Sequence, residues 1–154
     1  MDTITNMITS KFKENMWCDK ELEDKRKLRY YKEVVNPNLE DQNYLQVLKS
    51  AKKKINIAKI RTNSHELHSE SGHWTNPKTP WDERICHHCD TKRVEYEKQF
   101  LLDFHAYTHI RSKFKNIFHI TNLPNLLSDQ YYGDVGMLLS MLFEHRNTAL
   151  KKLK

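Results

Sequence analysis

Val94-Glu95-Tyr96-Glu97-Lys98-Gln99-Phe100-Leu101-Leu102-Asp103-Phe104-His105-Ala106-Tyr107-Thr108-His109-Ile110-Arg111-Ser112-Lys113-Phe114-Lys115-Asn116-Ile117 is the stretch on which the fold turns. Within it Tyr96, Phe100, Phe104, Tyr107, Ile110, Phe114 and Ile117 recur at steps of four, four, three, three, four and three. A helix of 3.6 residues per turn carries such a series on one side, so the spacing predicts an uninterrupted apolar stripe over about six turns.

The flanking sequence has the same character. Asn122-Leu123-Pro124 ends the stripe, and Val135, Leu138, Leu139, Leu142 and Phe143 mark a last helix with Gly133 and Gly136 near its start. Upstream, Val47, Ala51, Ile55 and Ala58 form another stripe at helical spacing. Further upstream, Ile4, Met7, Ile8 and Phe12 share a helix face, and Glu21 to Lys32 is a charge-dense helical stretch that Asn36-Pro37-Asn38 breaks. The chain holds only three Gly and four Pro, too few for a turn-rich sheet. The clearest loop runs from Gly72 to Asp82 and leads to the cysteines. The expected fold is all-α, with a small Cys-x-x-Cys turn insert. One domain is expected over 1–154: N-terminal helices at 1–35, a basic helical segment at 39–70, loop and cysteine turn at 72–93, and C-terminal helices at 94–154.

The 154 residues suffice for one ordinary domain. Their net charge of +6 suits a polyanionic partner without requiring one. Three cysteines, with Cys18 far from the other two, do not make a disulfide scaffold, so an intracellular setting, nuclear or cytoplasmic, is expected. The sequence contains no apolar run near 18 residues and no basic-then-apolar start, so neither a membrane span nor a secretory signal is expected.

Cys86 and Cys89 form a C-x-x-C, the spacing by which one turn presents two thiolates to a zinc ion. A structural site needs two further donors. His87 and His88 lie beside the pair, and His105 and His109, four apart, share a helix face. The set Cys86, Cys89, His105 and His109 is therefore the candidate metal site. The competing reading is two reduced cysteines in a turn with histidines scattered over the surface, which nine histidines make easy. No cofactor is expected otherwise.

Lys49, Lys52, Lys53, Lys54 and Lys59 crowd one predicted helix and are the candidate nucleic-acid-binding residues. Consecutive lysines spread around a helix, so a solubilising surface explains them too. Phe100, Phe104 and Tyr107, on an apolar stripe, fit a core better than a base-stacking platform. Catalytic constellations are lacking. Tyr132-Gly133-Asp134 has Val135 where a metal-binding carboxylate pair would need a second Asp. His65-Glu66-Leu67-His68 is one residue short of the metalloprotease spacing. No enzymatic activity is expected.

Several motifs also coincide in order. Ile60-Arg61-Thr62-Asn63-Ser64-His65-Glu66-Leu67 is followed by Glu70-Ser71-Gly72-His73-Trp74, Pro80, Glu83-Arg84-Ile85-Cys86-His87-His88-Cys89, Val94-Glu95-Tyr96-Glu97, Phe100-Leu101-Leu102, Tyr107 and Arg111. This order resembles the segment after the polymerase in non-LTR (LINE-like) retrotransposon proteins, over roughly Tyr30 to Phe118. There an R-x-x-x-H-x-L-x-x-E-x-G stretch precedes R-x-C-x-x-C, and a Cys, Cys, His, Cys set is the zinc-binding one. Of that set only Cys86 and Cys89 match here, because Gln99 and Phe104 hold the last two positions. His105 also replaces the proline usual after the final Cys. The resemblance implies a C-terminal fragment of such an element, with the polymerase outside this sequence. It would be non-enzymatic and bind RNA or single-stranded DNA weakly and without sequence preference. The alternative is a helical protein-interaction module with no nucleic-acid or metal role.

Overall fold

The computed structural model describes residues 31, 40, 42–87 and 91–152. The chain expected as one domain divides into two compact units, residues 1–41 and 42–154. The helices expected at 1–35 lie outside the described residues, apart from Tyr31. The second unit is helical, as the spacing predicts, and among the described residues its only strand-like pairing is an isolated antiparallel bridge between Ile85 and Val94.

A short helix α1 (Asn43–Val47) leads into α2 (Ala51–Arg61). Ser50 caps α2 by accepting from the Lys53 N–H at 3.4 Å. The other end closes through Asn63, whose φ of 49° is one that asparagine tolerates. There Ser64 N–H reaches Lys59 O at 2.8 Å and Asn63 N–H reaches Ile60 O at 3.3 Å, the paired bonds that satisfy a helix's last carbonyls. Ile57 and Ile60 face the core together with Asn56 and Arg61. The stripe expected on Val47, Ala51 and Ile55 is instead the exposed face: Val47 is 56% and Ile55 53% accessible. Periodicity located the helix but not its inner side, because two polar residues are buried with partners. Asn56 donates to Ser140 Oγ at 3.3 Å. Arg61 donates to Gln42 Oε1 and Leu127 O, and lies over the Tyr44 ring.

The stripe from Tyr96 to Ile117 is not one continuous helix. A π-helical turn, Gln99–Asp103, ends at Phe104, whose ψ of 121° is extended. A 3-10 turn, His105–Tyr107, and one turn of α-helix, Thr108–Arg111, follow. The break is held by three bonds. Phe104 N–H goes back five residues to Gln99 O at 2.9 Å, and Phe104 O accepts both from the Tyr107 N–H of the following 3-10 turn at 3.2 Å and from Arg111 Nη2 at 2.7 Å. Short turns keep the three-to-four spacing, so the apolar residues still converge. Phe100, Phe104, Tyr107, Ile110 and Ile117 are all buried.

They meet the long C-terminal helix, Tyr132–Lys152, called α6 here after α3 (His68–Ser71), α4 (Thr108–Arg111) and α5 (Leu123–Leu126). Val135, Leu138, Leu139 and Leu142 of α6 are buried in the same cluster as Ile57, Ile60 and Leu67. Phe100 lies 5.3 Å from Tyr107 edge-on and 5.1 Å from Phe143. Gly136 lets α2 approach, since a Cβ there would sit 3.2 Å from Lys53 Cβ and 3.3 Å from Ile57 Cδ1. No described helix is long and apolar enough to cross a membrane.

Phe104 is 1% exposed, whereas Phe118, on the same segment, is 54% exposed. Phe104→Ala is expected to cost about 3–5 kcal/mol in urea unfolding. Phe118→Ala should stay within about 0.5 kcal/mol of the parent. Equal costs at the two positions would mean that the broken stripe is not the core.

Candidate functional site

Most motif residues upstream of the stripe are inside the molecule. Arg61, His65, Glu70, Arg84 and Glu95 are buried, and so is Arg146 of α6. The Ile85–Val94 bridge brings two chain arms together, with Cys86 N–H on Arg93 O at 3.0 Å and Glu95 N–H on Arg84 O at 2.9 Å. This register places Glu95 beneath α3, where its carbonyl accepts from Ser69 N–H at 3.0 Å.

The Glu95 carboxylate is 1% exposed and receives Arg146 in a two-pronged pair, Nε on Oε1 and Nη2 on Oε2, both 2.7 Å. His68 N–H donates to Oε2 at 3.0 Å. Arg146 Nη2 also reaches Glu66 O at 3.1 Å. Burial alone would lower the pKa of Arg146, but its bond and charge contact with Glu95 hold it above the ordinary guanidinium value. Cys86 is buried with its thiol 3.9 Å from Glu95 Oε1. Arg84 donates from Nε to Thr79 O at 2.9 Å and from Nη1 to Ser69 O at 2.7 Å, and lies over the Trp81 ring. Gly72 is needed beside it, because a Cβ there would come within 2.6 Å of Arg84 Nε. His65, with no exposed side-chain surface, meets Glu97 Oε1 through Nε2 at 2.7 Å. Both Glu95 oxygens are fully engaged, so the cluster is a framework that joins α3, the 84–95 arms and α6.

The candidate metal residues are spread around this framework. Cys86 faces Glu95, His105 borders a mainly apolar cleft of about 360 Å³ with Leu102, Arg111 and Phe118, and the His109 ring lies 5.2 Å from that of His145. Cys89 lies outside the described residues, and among the described residues no group of three His, Cys, Asp or Glu is close enough to hold a metal ion. Gln99 is buried with Nε2 3.5 Å from Tyr96 Oη, and Phe104 is in the core.

The lysines divide. Lys49 is exposed before α2, Lys53 is half-buried against Gly136, and Lys54 is half-buried. Lys52 and Lys59 border one polar cleft of about 400 Å³ between α2 and α6, which Asn147, Thr148 and Lys151 complete. Lys59 Nζ is paired with Glu66 Oε1 at 3.3 Å on its edge. The pattern of the sequence missed Lys151 because it is 92 positions from Lys59 and only the α2–α6 packing unites them.

Two outcomes follow from the framework. Arg146→Ala strands Glu95 in the interior and is expected to cost about 3–5 kcal/mol in chemical unfolding. The paired change Glu95→Leu with Arg146→Met should recover most of that loss, and a single variant as stable as the parent would exclude a framework role. The second outcome is a pH dependence. Burial raises the Glu97 carboxyl, but the hydrogen bond and charge of His65 outweigh it and hold the pKa below the ordinary carboxylate value. A group depressed in the fold stabilises above its unfolded pKa, about 4.3. That contribution is lost as pH falls through the folded value. Glu97→Gln should therefore melt lower than the parent at pH 7, with the gap closing toward pH ~3. A gap that persists in acid would detach the effect from this carboxylate.

No family model, no curated protein and no solved structure matches the chain.

Proposed function

We propose that the chain is a non-enzymatic nucleic-acid-binding element derived from the post-polymerase region of a LINE-like retrotransposon protein. It binds RNA or single-stranded DNA weakly and without sequence preference. The observation that carries this reading is the run of lysines at the start and along the outer side of α2, where Lys49 just before the helix and Lys52 on it are exposed and Lys59 borders the polar cleft. Each phosphate neutralised by a lysine releases counterions, an entropic gain that added salt removes. The net charge of +6 favours such a partner over an anionic one that is small and discrete. No base-reading constellation accompanies the lysines, so specificity is expected to be poor. The resemblance is further supported by the buried positions of Arg61, His65, Glu70, Arg84 and Glu95, which are motif residues inside the molecule rather than scattered surface matches. Zinc has no part in this reading. Gln99 and Phe104, at the resemblance's third and fourth ligand positions, supply neither imidazole nor thiolate.

One observation favours the protein-interaction reading as second choice. Leu45, Val47 and Ile55 are each about half exposed or more, at 48%, 56% and 53%. Salt separates the two readings, because apolar docking does not weaken as counterions are added.

Fluorescence anisotropy with a labelled single-stranded RNA should give dissociation constants of roughly 10⁻⁴–10⁻⁶ M, falling in affinity as salt rises. Replacing Lys49 and Lys52 with Ala should weaken all sequences alike and flatten the slope of log affinity against log salt by about 0.7 per lysine engaged. No association at low ionic strength would exclude the nucleic-acid reading and leave the interaction module.

A further inference from the structure

We propose that the polar cleft between α2 and α6 is a single-strand site. It takes in one nucleotide of an RNA or DNA strand, and Glu66 restrains its affinity by occupying Lys59. The inference rests on the nucleic-acid reading above and names the part of the surface that would carry it.

Three observations lead there. The first is shape. The cleft has a volume of about 400 Å³, within the range of sites that enclose a small ligand. A stacked duplex presents a convex wall of phosphates and cannot send a nucleotide into a recess of that size, whereas a single strand can. The second is charge. Lys52 and Lys59 stand on the α2 side and Lys151 on the α6 side, against Glu66 and Glu144. Three ammonium groups less two carboxylates leave one positive charge, which lies on the α2 wall because Lys151 and Glu144 cancel on α6, while ammonium groups on both walls can meet a phosphodiester passing between them. Asn147 and Thr148 add neutral donors and acceptors, and Phe143 gives an apolar surface. The third is the ion pair. Lys59 Nζ lies 3.3 Å from Glu66 Oε1, with side chains 38% and 67% exposed. An arriving phosphate oxygen replaces that carboxylate on Lys59, and Glu66 then repels the phosphate from close by. The backbone at Glu66 is held independently, through its carbonyl on Arg146 at 3.1 Å, so changing the side chain leaves the framework in place.

The test uses the full chain and a labelled oligouridylate of roughly ten nucleotides, a length suited to one single-strand groove. Glu66→Gln frees Lys59 and removes a like charge. Binding should tighten by roughly two- to fivefold, the range of one exposed ion pair, with the salt slope staying near the parent's because Lys59 meets one phosphate in both. Lys151→Ala, far in sequence from the α2 lysines, should weaken binding and flatten the slope by about 0.7. The oligouridylate should bind more tightly than a duplex RNA of equal length, and the duplex should not respond to Glu66→Gln. Circular dichroism melts check that both variants fold. If Glu66→Gln and Lys151→Ala bind as the parent does while Lys49→Ala weakens binding, the cleft proposal fails and a flat basic face remains. If the parent chain binds neither probe at low salt, the underlying nucleic-acid reading fails, and the cleft proposal falls with it.

Discussion

The second unit depends on a buried ion pair between two residues 51 positions apart, Glu95 and Arg146. Removing both charges from water carries a desolvation cost about as large as their mutual attraction, so the pair adds little over apolar residues of the same volume. Its effect is on alternatives. Any packing that buries Glu95 without Arg146, or Arg146 without Glu95, leaves an uncompensated charge inside. The pair therefore dictates which stretch of α6 faces the 84–95 arms. The remaining donors reinforce the choice. His68 N–H on Glu95 Oε2 sets the start of α3, and Arg146 on Glu66 O sets the chain just before it.

Part of this could be read in the sequence. Val135, Leu139 and Leu142 are core residues at steps of four and three, and Arg146 comes four later on the same stripe. A charged residue at the next core position signals a buried partner, but the sequence does not say which of its carboxylates that is. The same limit explains α2. Its inner face carries Asn56 and Arg61, which hydropathy places outside, and its exposed face carries Ile55. Periodicity finds helices because it depends on local geometry. Burial of a polar group depends on a partner contributed from elsewhere, here Ser140, Gln42 and Leu127.

The central stripe shows a further limit. Spacing alone makes Tyr96 to Ile117 a helix of six turns, and five of its seven stripe residues are buried, while Tyr96 and Phe114 are half-buried and the fully buried Leu101 lies off the stripe. Spacing does not show the break at Phe104, because π, α and 3-10 turns all return a side chain to nearly the same side every three to five residues. At the break the chain passes into a 3-10 turn, and Phe104 O takes both the Tyr107 N–H and the Arg111 side chain. The carbonyl at the break is thereby satisfied twice over. Phe104 shows the consequence in another way. It stands where the retrotransposon resemblance gives a zinc ligand, yet it contacts Tyr107 at a ring distance of 6.1 Å and serves the core.

The framework and the polar cleft are joined at one residue. Glu66 gives its carbonyl to Arg146 and its carboxylate to Lys59. The first bond is partly buried and goes to an uncharged carbonyl, so salt affects it little, while the second is exposed and weakened by it. The interior thus fixes where Glu66 stands and leaves its charge free to exchange. On the other side of the cleft, contact of α2 with Gly136 and the Asn56–Ser140 bond hold the two helices together before Phe143, so the later turns of α6 bring Asn147 and Lys151 opposite Lys52 and Lys59. A glycine that admits a neighbouring helix and an arginine that anchors a loop carbonyl are each structural in themselves. Together they place three lysines around one recess although the sequence holds them in two separate clusters.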